Sequence, residues 1–159
     1  MNGIRFGEYL RVRPLYSGLG AVNDESAWLD VSKYQWVTIL ITGECDTATT
    51  VRIEASSSAS TNASSDDISF FYRNSGTITT AAAGLGADTW GSITTADSTG
   101  FSYTTGALLI DIDPSVMPVT NANWRYIHVR TAATSYAATP AWGMTAICEP
   151  RNAGATYST

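Results

Sequence analysis

The sequence contains one histidine, His128, so any catalytic scheme that needs an imidazole base must use this residue. The same holds for a zinc site with a histidine ligand. On a β-strand, His128 would share a face with Tyr126 and Arg130. A histidine between an aromatic ring and an arginine is typical of a structural or interface position. No Gly-x-Ser-x-Gly motif is present, and we therefore predict that the protein is not an enzyme.

Two pairs of carboxylates, Asp66-Asp67 and Asp111-x-Asp113, have the spacing to hold a hard cation or to act as an acid and a base. Neither pair belongs to a calcium-loop pattern, and Pro114 follows the second pair directly. We expect Asp113 to cap a short turn that starts at Pro114. We expect Asp66-Asp67 to lie in a solvated loop with at most weak cation binding. The sequence therefore predicts no metal centre and no cofactor.

The two cysteines, Cys45 and Cys148, are 103 positions apart, which fits neither a dense disulfide framework nor a metal-ligand spacing. We expect two free thiols. The first residues lack the apolar stretch of a secretory signal, and no run of about 20 apolar residues is present. These features predict a protein that is made and used in a reducing cytoplasm or released only by lysis, with no membrane partner.

The 159 residues carry a net charge of -5, and only 14% of them are charged. Serine and threonine together account for 39 positions, a composition that favours strands and turns over helices. An acidic chain with one lysine argues against nucleic acid as the main partner, because phosphate binding needs clustered positive charge. Residues 1–20 differ from the rest, since they have a net charge of +2 and the remaining residues have -7.

Alternation of apolar and polar residues predicts strands almost everywhere. Segments 36–42 and 50–55 alternate on either side of a turn at 43–47, which predicts a hairpin. Val37, Ile39 and Ile41 share one face of the first segment, and in the second Val51, Ile53 and Ala55 point inward and Glu54 outward. Segments 125–130 and 142–148 predict a second pair. A further strand over 107–113, with Leu108, Ile110 and Ile112 on one face, stops at Pro114. Weaker strands are predicted over 4–12, 68–72, 77–79 and 90–94, short helical turns over 24–28 and 114–117, and surface loops or edge segments over 56–67 and 79–87.

Eight or nine short strands separated by turn signals predict an all-β fold, an antiparallel β-sandwich with jelly-roll connectivity. We expect a single domain over residues 21–159, preceded by an extended N-terminal arm over residues 1–20. The arm contains too many apolar side chains to be left in water, so it should be docked. Docking on its own body would add an edge strand. Docking on a neighbouring subunit, which we favour, would use Gly18 and Gly20 as a joint.

Several predicted strands are apolar on both faces, which is unusual for the outer faces of a sandwich. Trp36 and Leu40 lie opposite Val37 and Ile39, for example. Such strands need a second cover, and exposed aromatic patches mark interaction surfaces. We therefore expect a homo-oligomer, most simply a trimer. The predicted interface residues are Arg5, Phe6, Arg11, Arg13, Trp36, Trp124, Tyr126, His128 and Trp142.

Four segments carry a resemblance to a known group of proteins. Segment 30–39, with Tyr34 three residues before Val37, and segment 50–56, which ends near a Glu-Ala-Ser sequence, resemble the opening strands of small structural proteins of tailed bacteriophages. Segment 124–130 is similar to their Arg-Tyr-Val-Arg-Val strand, and segment 144–151 to their last strand. The Ser/Thr/Ala-rich insert over 56–106 departs from their pattern.

The resemblance implies a virion protein of the capsid decoration (cement) type, a trimeric β-sandwich whose partner is the major capsid protein. A neck or tail-tube protein is the alternative within the virion. A carbohydrate-binding sandwich module is the alternative of another class, because aromatic side chains on a β-face can stack on sugars.

Overall fold

A computed structural model of the chain describes residues 10–19, 25–59, 65–74, 94–96, 100–116, 124–132 and 141–151. These residues form nine strands and one short 3-10 turn, so the predicted all-β class is confirmed. The strands are β1 (Arg11–Leu19), β2 (Leu29–Asp30), β3 (Tyr34–Ser56), β4 (Ser65–Ile68), β5 (Phe70–Asn74), β6 (Thr94–Ala96), β7 (Phe101–Ile112), β8 (Tyr126–Ala132) and β9 (Ala141–Pro150), and the 3-10 turn is Pro114–Val116.

The central element is β3, a strand of 23 residues that takes part in both layers of the sandwich. Its first half, residues 34–44, lies between β9 and β7. Its second half, residues 49–56, lies between β8 on one side and β4 with the start of β7 on the other. The register against β7 shifts between Glu44 and Thr49, next to Gly43 with a φ of 153°. Glycines and register shifts allow a strand to bend, so this point is where β3 passes from one layer into the next.

The predicted hairpin over 36–55 is wrong, because its two strands are consecutive parts of β3 and do not pair with each other. Segment 43–47 has no Asn-Gly or Asp-Gly dipeptide to form a tight hairpin turn, and the chain stays extended through it. The predicted pair of 125–130 with 142–148 is also wrong. Strands β8 and β9 lie along the same side of β3, one in each layer, because β3 is long enough to offer each of them a separate length of backbone.

The first layer has the strand order β1-β9-β3-β7-β5-β6, and in the second layer β8 lies between β2 and β3. All strand pairs among the described residues are antiparallel. The structure confirms the antiparallel β-sandwich, whereas jelly-roll connectivity stays a prediction.

The core lies between the two layers and is built from alternate residues of the long strands. The inward positions predicted for β3 and β7 are confirmed, since each of them is at most 3% exposed. Fully buried apolar side chains come from both layers: Val37, Ile39, Ile41, Val51, Ile53, Leu108, Ile110, Ile127, Val129, Met144, Ala146 and Cys148. Cys148 is a free thiol, and burial raises its pKa to about 11. The side chain of Cys45 lies outside the described residues.

Strand β1 takes up part of the predicted N-terminal arm. Residues Arg11–Leu19 pair with β9 of the same chain, so this part is an edge strand of its own domain. Docking of the arm on a neighbouring subunit stays a prediction. Leu15 is buried in the core, and this burial stabilises the packing of β1 on its own domain. Gly18 is paired with Trp142 within the strand and is not a joint. Residues 1–9, which include Arg5 and Phe6, and Gly20 lie outside the described residues.

Two of the short elements also differ from expectation. Residues 25–28 form no helical turn, although one was predicted over 24–28, and Glu25 makes an isolated antiparallel bridge to Arg130. The amide of Ser26 donates to the carbonyl of Val129, and that of Ala27 donates to the carbonyl of Leu15, so this segment links β8 to β1 and closes one side of the sandwich. Asp66 and Asp67 lie in strand β4, paired with Ala55 and Glu54, where a loop was predicted.

The turn after β7 forms as predicted, with the Ser115 amide donating to Oδ1 of Asp113 at 2.8 Å. The predicted strand over 68–72 is confirmed as the end of β4 and most of β5. Segments 77–79, 79–87 and 90–93 lie outside the described residues.

Adjacent residues of β3 provide a test of the two faces. Ile39→Ala should lower the free energy of unfolding by about 2–5 kcal/mol, because Ile39 is fully buried between the layers. Leu40→Ala, on the half-buried outer side, should cost less than half as much. Urea denaturation of the two variants measures both values, and equal losses would contradict the assignment of the faces.

Candidate functional site

The outer face of the first layer carries a row of apolar side chains from five strands, which we call the apolar face. Its members are Val12 of β1, Ile147 of β9, Leu40 of β3, Leu109 of β7 and Phe71 of β5. Cross-strand pairing places them in two adjacent rows. Leu40 pairs with Leu109 in one row. The other row contains Val12, Ile147, Thr38, Asp111 and Phe71.

Part of this face is open to solvent. Val12 is 53% exposed, Phe71 43% and Trp36, at the end of the same side of β3, 36%. Ile147, Leu40 and Leu109 are half-buried. In the described part of the chain no element packs over these strands from outside, so this apolar surface is open to contact with another molecule.

Asp111 lies in the middle of the apolar face, where an unpaired carboxylate would be costly to bury under an apolar partner. The hydroxyl of Thr38, its neighbour across the strand pair, donates to Oδ1 of Asp111 at 2.6 Å. The indole Nε1 of Trp36 donates to the same oxygen at a longer 3.4 Å. The carboxylate is therefore partly satisfied within its own sheet. The predicted carboxylate pair is divided, because Asp113 caps the turn while Asp111 is bound to β3.

The outer face of the second layer is polar and is occupied by a buried ionic group, the Glu54 cluster, formed by Trp28, Glu54, His128 and Arg130. Glu54 lies directly opposite His128 in the strand pair, and His128 Nε2 is 2.8 Å from Glu54 Oε2. Nη1 of Arg130 donates to the other oxygen, Oε1, at 2.7 Å. Since a carboxylate can only accept, the proton of the first contact is on Nε2.

Trp28 covers this cluster. Its ring is stacked on the ring of His128 with centroids 3.8 Å apart and an angle of 11° between the planes. His128 is consequently 1% exposed and Glu54 8%. The Nδ1 atom of His128 is buried and has no hydrogen-bond partner in the structure. Within the described residues the imidazole thus contacts a carboxylate and an indole.

Two opposing effects act on Glu54. Burial raises the pKa of this carboxyl, but the hydrogen bonds from His128 and Arg130 together outweigh burial, so the pKa lies below its ordinary value of 4.5. Arg52 lies opposite Arg130 on the same face, and it pairs with Asp67 at 3.2 Å. Each arginine therefore has a carboxylate beside it, which offsets the repulsion between two like charges across a strand pair.

A third ion pair joins β2 to the residue before β8. Arg125 donates from Nε and Nη2 to Oδ2 of Asp30 at 3.0 and 2.6 Å. These hydrogen bonds, with those from Ser32, hold the pKa of Asp30 well below its usual range despite partial burial. The guanidinium of Arg125 also lies 5.4 Å from the ring centroid of Tyr126.

The structure does not bring the predicted interface residues into one site. Trp36 lies on the outer side of the first layer, and Tyr126 and His128 lie on the outer side of the second. Trp124 is half-buried against the core, and His128 is covered within its own chain. Arg11 and Arg13 are exposed on β1. The backbone of Trp142 pairs with Gly18 and Gly43, but its side chain, like Arg5 and Phe6, lies outside the described residues.

Sequence reasoning missed four residues that define these faces: Val12, Trp28, Glu54 and Phe71. Alternation did place Glu54 outward, but its partner His128 is 74 positions away, and only the register of β3 against β8 reveals the pair. The contact of Trp28 with His128 was not predicted, because the segment of Trp28 was assigned to a helical turn. The exposure of Val12 and Phe71 depends on which strands lie toward the edges of the sheet, which no local pattern shows.

In the part of the chain that the structure describes, no group of three or more histidine, cysteine or acidic side chains could hold a metal ion. The same residues include no helix long and apolar enough to cross a membrane.

No protein-family model and no curated protein matches this chain. Among solved structures, the crystal structure of the SPBc2 prophage-derived protein YomS matches with a TM-score of 0.48 and 12% sequence identity, over 87% of this chain and 91% of that chain.

The Glu54 cluster should make stability depend on pH in acid. Because the pKa of Glu54 is lowered in the folded protein, the unfolded chain takes up the proton first as the pH falls. The contribution of Glu54 is therefore complete above about pH 4.5 and is lost as the pH falls below that value towards the folded pKa.

Glu54→Gln should cost about 1–3 kcal/mol near neutral pH and should lose less further stability on acidification than the natural protein. Urea denaturation over a pH series measures this slope. Asp66→Asn removes an exposed carboxylate from the neighbouring strand and serves as the control for charge. Parallel pH profiles for the natural protein and Glu54→Gln would show that the cluster does not contribute to acid sensitivity.

Proposed function

We propose that this protein is a non-enzymatic structural protein of a bacteriophage virion, a capsid decoration protein that binds the major capsid protein and associates with copies of itself. The apolar face carries the proposal. A β-sandwich that buries all its apolar side chains within one chain would have polar outer faces in both layers. Here the second layer carries the polar Glu54 cluster on its outer face, whereas the first layer leaves Val12 and Phe71 exposed.

The shape of the apolar face suits another flat surface. It consists of side chains on neighbouring strands, so a second β-sheet can pack on it at the spacing of about 10 Å that sandwiches use. The indole Nε1 of Trp36 and the hydroxyl of Thr38 bind the carboxylate of Asp111 within the sheet, which lowers the cost of desolvating that carboxylate at a contact. These features support a self-contact, and a homotrimer is the form we propose.

Strand β1 supports contact with a capsid shell. It is an edge strand of the first layer, and Arg11 and Arg13 are exposed on either side of Val12. Exposed arginines bind carboxylates in a two-pronged geometry, and they would meet acidic side chains of the capsid lattice. The resemblance of segments 30–39, 50–56, 124–130 and 144–151 to small phage structural proteins gives the proposal its virion location.

Self-association can be tested with a charge on the apolar face. Phe71→Glu should convert an oligomer of the natural protein into a monomer of 16.9 kDa, because burying a carboxylate between two apolar sheets is costly. Ser102→Glu places the same charge at an exposed position of β7 away from this face and should leave the mass unchanged. Analytical ultracentrifugation at high micromolar concentration gives the masses, and circular dichroism checks that both variants fold.

Binding to the shell is measured by cosedimentation with capsids assembled from the major capsid protein of the same phage. The natural protein should cosediment, and Arg13→Ser should weaken the interaction and reduce its dependence on salt. A protein that stays monomeric and also fails to bind the shell would contradict the proposed function.

A further inference from the structure

At one end of the first layer, beside the apolar face, lies an open cleft of about 480 Å³. Three strand ends meet there. Trp36 near the start of β3 pairs with Glu149 near the end of β9, and the 3-10 turn follows β7. The cleft is lined by Gln35, Trp36, Asp113, Ser115, Glu149 and Arg151.

Trp36 provides a flat surface in this cleft. A shift of register between Tyr34 and Trp36 breaks the alternation, so that Tyr34 is buried while Gln35 and Trp36 are both exposed. A hydrogen bond orients the indole ring, since its Nε1 donates to Oδ1 of Asp111 at 3.4 Å. A tryptophan that is 36% exposed and held by its nitrogen presents apolar ring surface to a ligand while its polar atom is already engaged.

The polar groups around the ring are also positioned by the fold. Nε of Arg151 donates to the carbonyl of Tyr34 at 3.0 Å, and the Arg151 amide donates to the carbonyl of Lys33. Oδ1 of Asp113 accepts the Ser115 amide at 2.8 Å, which fixes that carboxylate at the start of the turn. Gln35 is exposed and can both donate and accept.

The combination identifies a class of ligand. Two carboxylates and one guanidinium give the cleft a small negative charge, which disfavours phosphate, sulfate and acidic sugars. An apolar platform with donors and acceptors around it matches a neutral pyranose, whose C–H groups stack on an aromatic ring while its hydroxyls bond in the plane. A lysine or arginine side chain would suit the carboxylates, but the fixed Arg151 opposes a second cation.

We infer that this cleft binds a neutral pyranose unit of a glycan, with Trp36 as the stacking platform and Gln35, Asp113, Glu149 and Arg151 as the polar partners. The inference goes beyond the proposed assembly function and does not depend on it, because the apolar face can fail as an interface while the cleft still binds sugar. A particle that displays the protein would then bind glycans on a surface through this cleft.

The test follows the indole N–H signal of Trp36 in ¹⁵N-labelled protein by NMR, assigned by its absence in Trp36→Phe. The probes are maltohexaose, cellohexaose, mannohexaose and chitohexaose, each titrated to about 10 mM. At least one sugar should shift the Trp36 signal saturably in the natural protein. In Trp36→Ala, which lacks this signal, backbone amide signals near the cleft report binding, and the affinity should be lower by roughly tenfold or more. Trp36→Phe, which keeps a ring, should lose less.

Phe71→Ala is the matched control, because it removes another exposed aromatic from the same layer outside the cleft. It should bind the sugar with unchanged affinity, and so should the monomeric Phe71→Glu protein, which separates this inference from the proposed assembly. The inference is overturned if none of the four sugars shifts the signal, if binding survives in Trp36→Ala, or if a lysine-rich peptide binds the cleft and the sugars do not.

Discussion

The bent strand β3 is the element on which the rest of the structure depends. Ile39 and Ile41 in its first half and Val51 and Ile53 in its second all face the core, so the alternation keeps its phase through the bend. A slip of one residue there would turn one half inside out, since strand side chains repeat every two residues. The same phase directs Leu40 outward in the first layer and Glu54 outward in the second. The fold of the core therefore determines the chemistry of both surfaces.

The two outer faces meet this constraint in different ways. In the second layer Glu54 is enclosed by His128, Arg130 and the ring of Trp28, so the polar groups are satisfied largely within the chain. In the first layer the outward residues include the apolar side chains of Val12, Leu40, Leu109 and Phe71, which are in part exposed. Burying them requires a surface that the described chain does not supply, which is why we propose that the first layer contacts other subunits.

Local pattern predicted much of the fold and little of the site. Alternation identified the inward residues of β3 and β7 correctly, because burial on one side of a strand leaves a period of two in the sequence. It failed at the bend of β3, where two runs of alternation were interpreted as a hairpin, since the pattern is the same whether the chain turns back or continues. It could not pair Glu54 with His128 or place Val12 at an edge, because both depend on the order and register of distant strands.

Native-state hydrogen exchange along β3 tests most directly whether this strand supports both layers. If it does, the amides of Ile39 and Ile53 exchange only through global unfolding, with the same free energy of opening in both halves and the same dependence on denaturant. If the amide of Ile53 instead exchanges through a much cheaper local opening while that of Ile39 stays protected, the second layer opens independently. The continuity of β3 would then not be what holds the two faces in place.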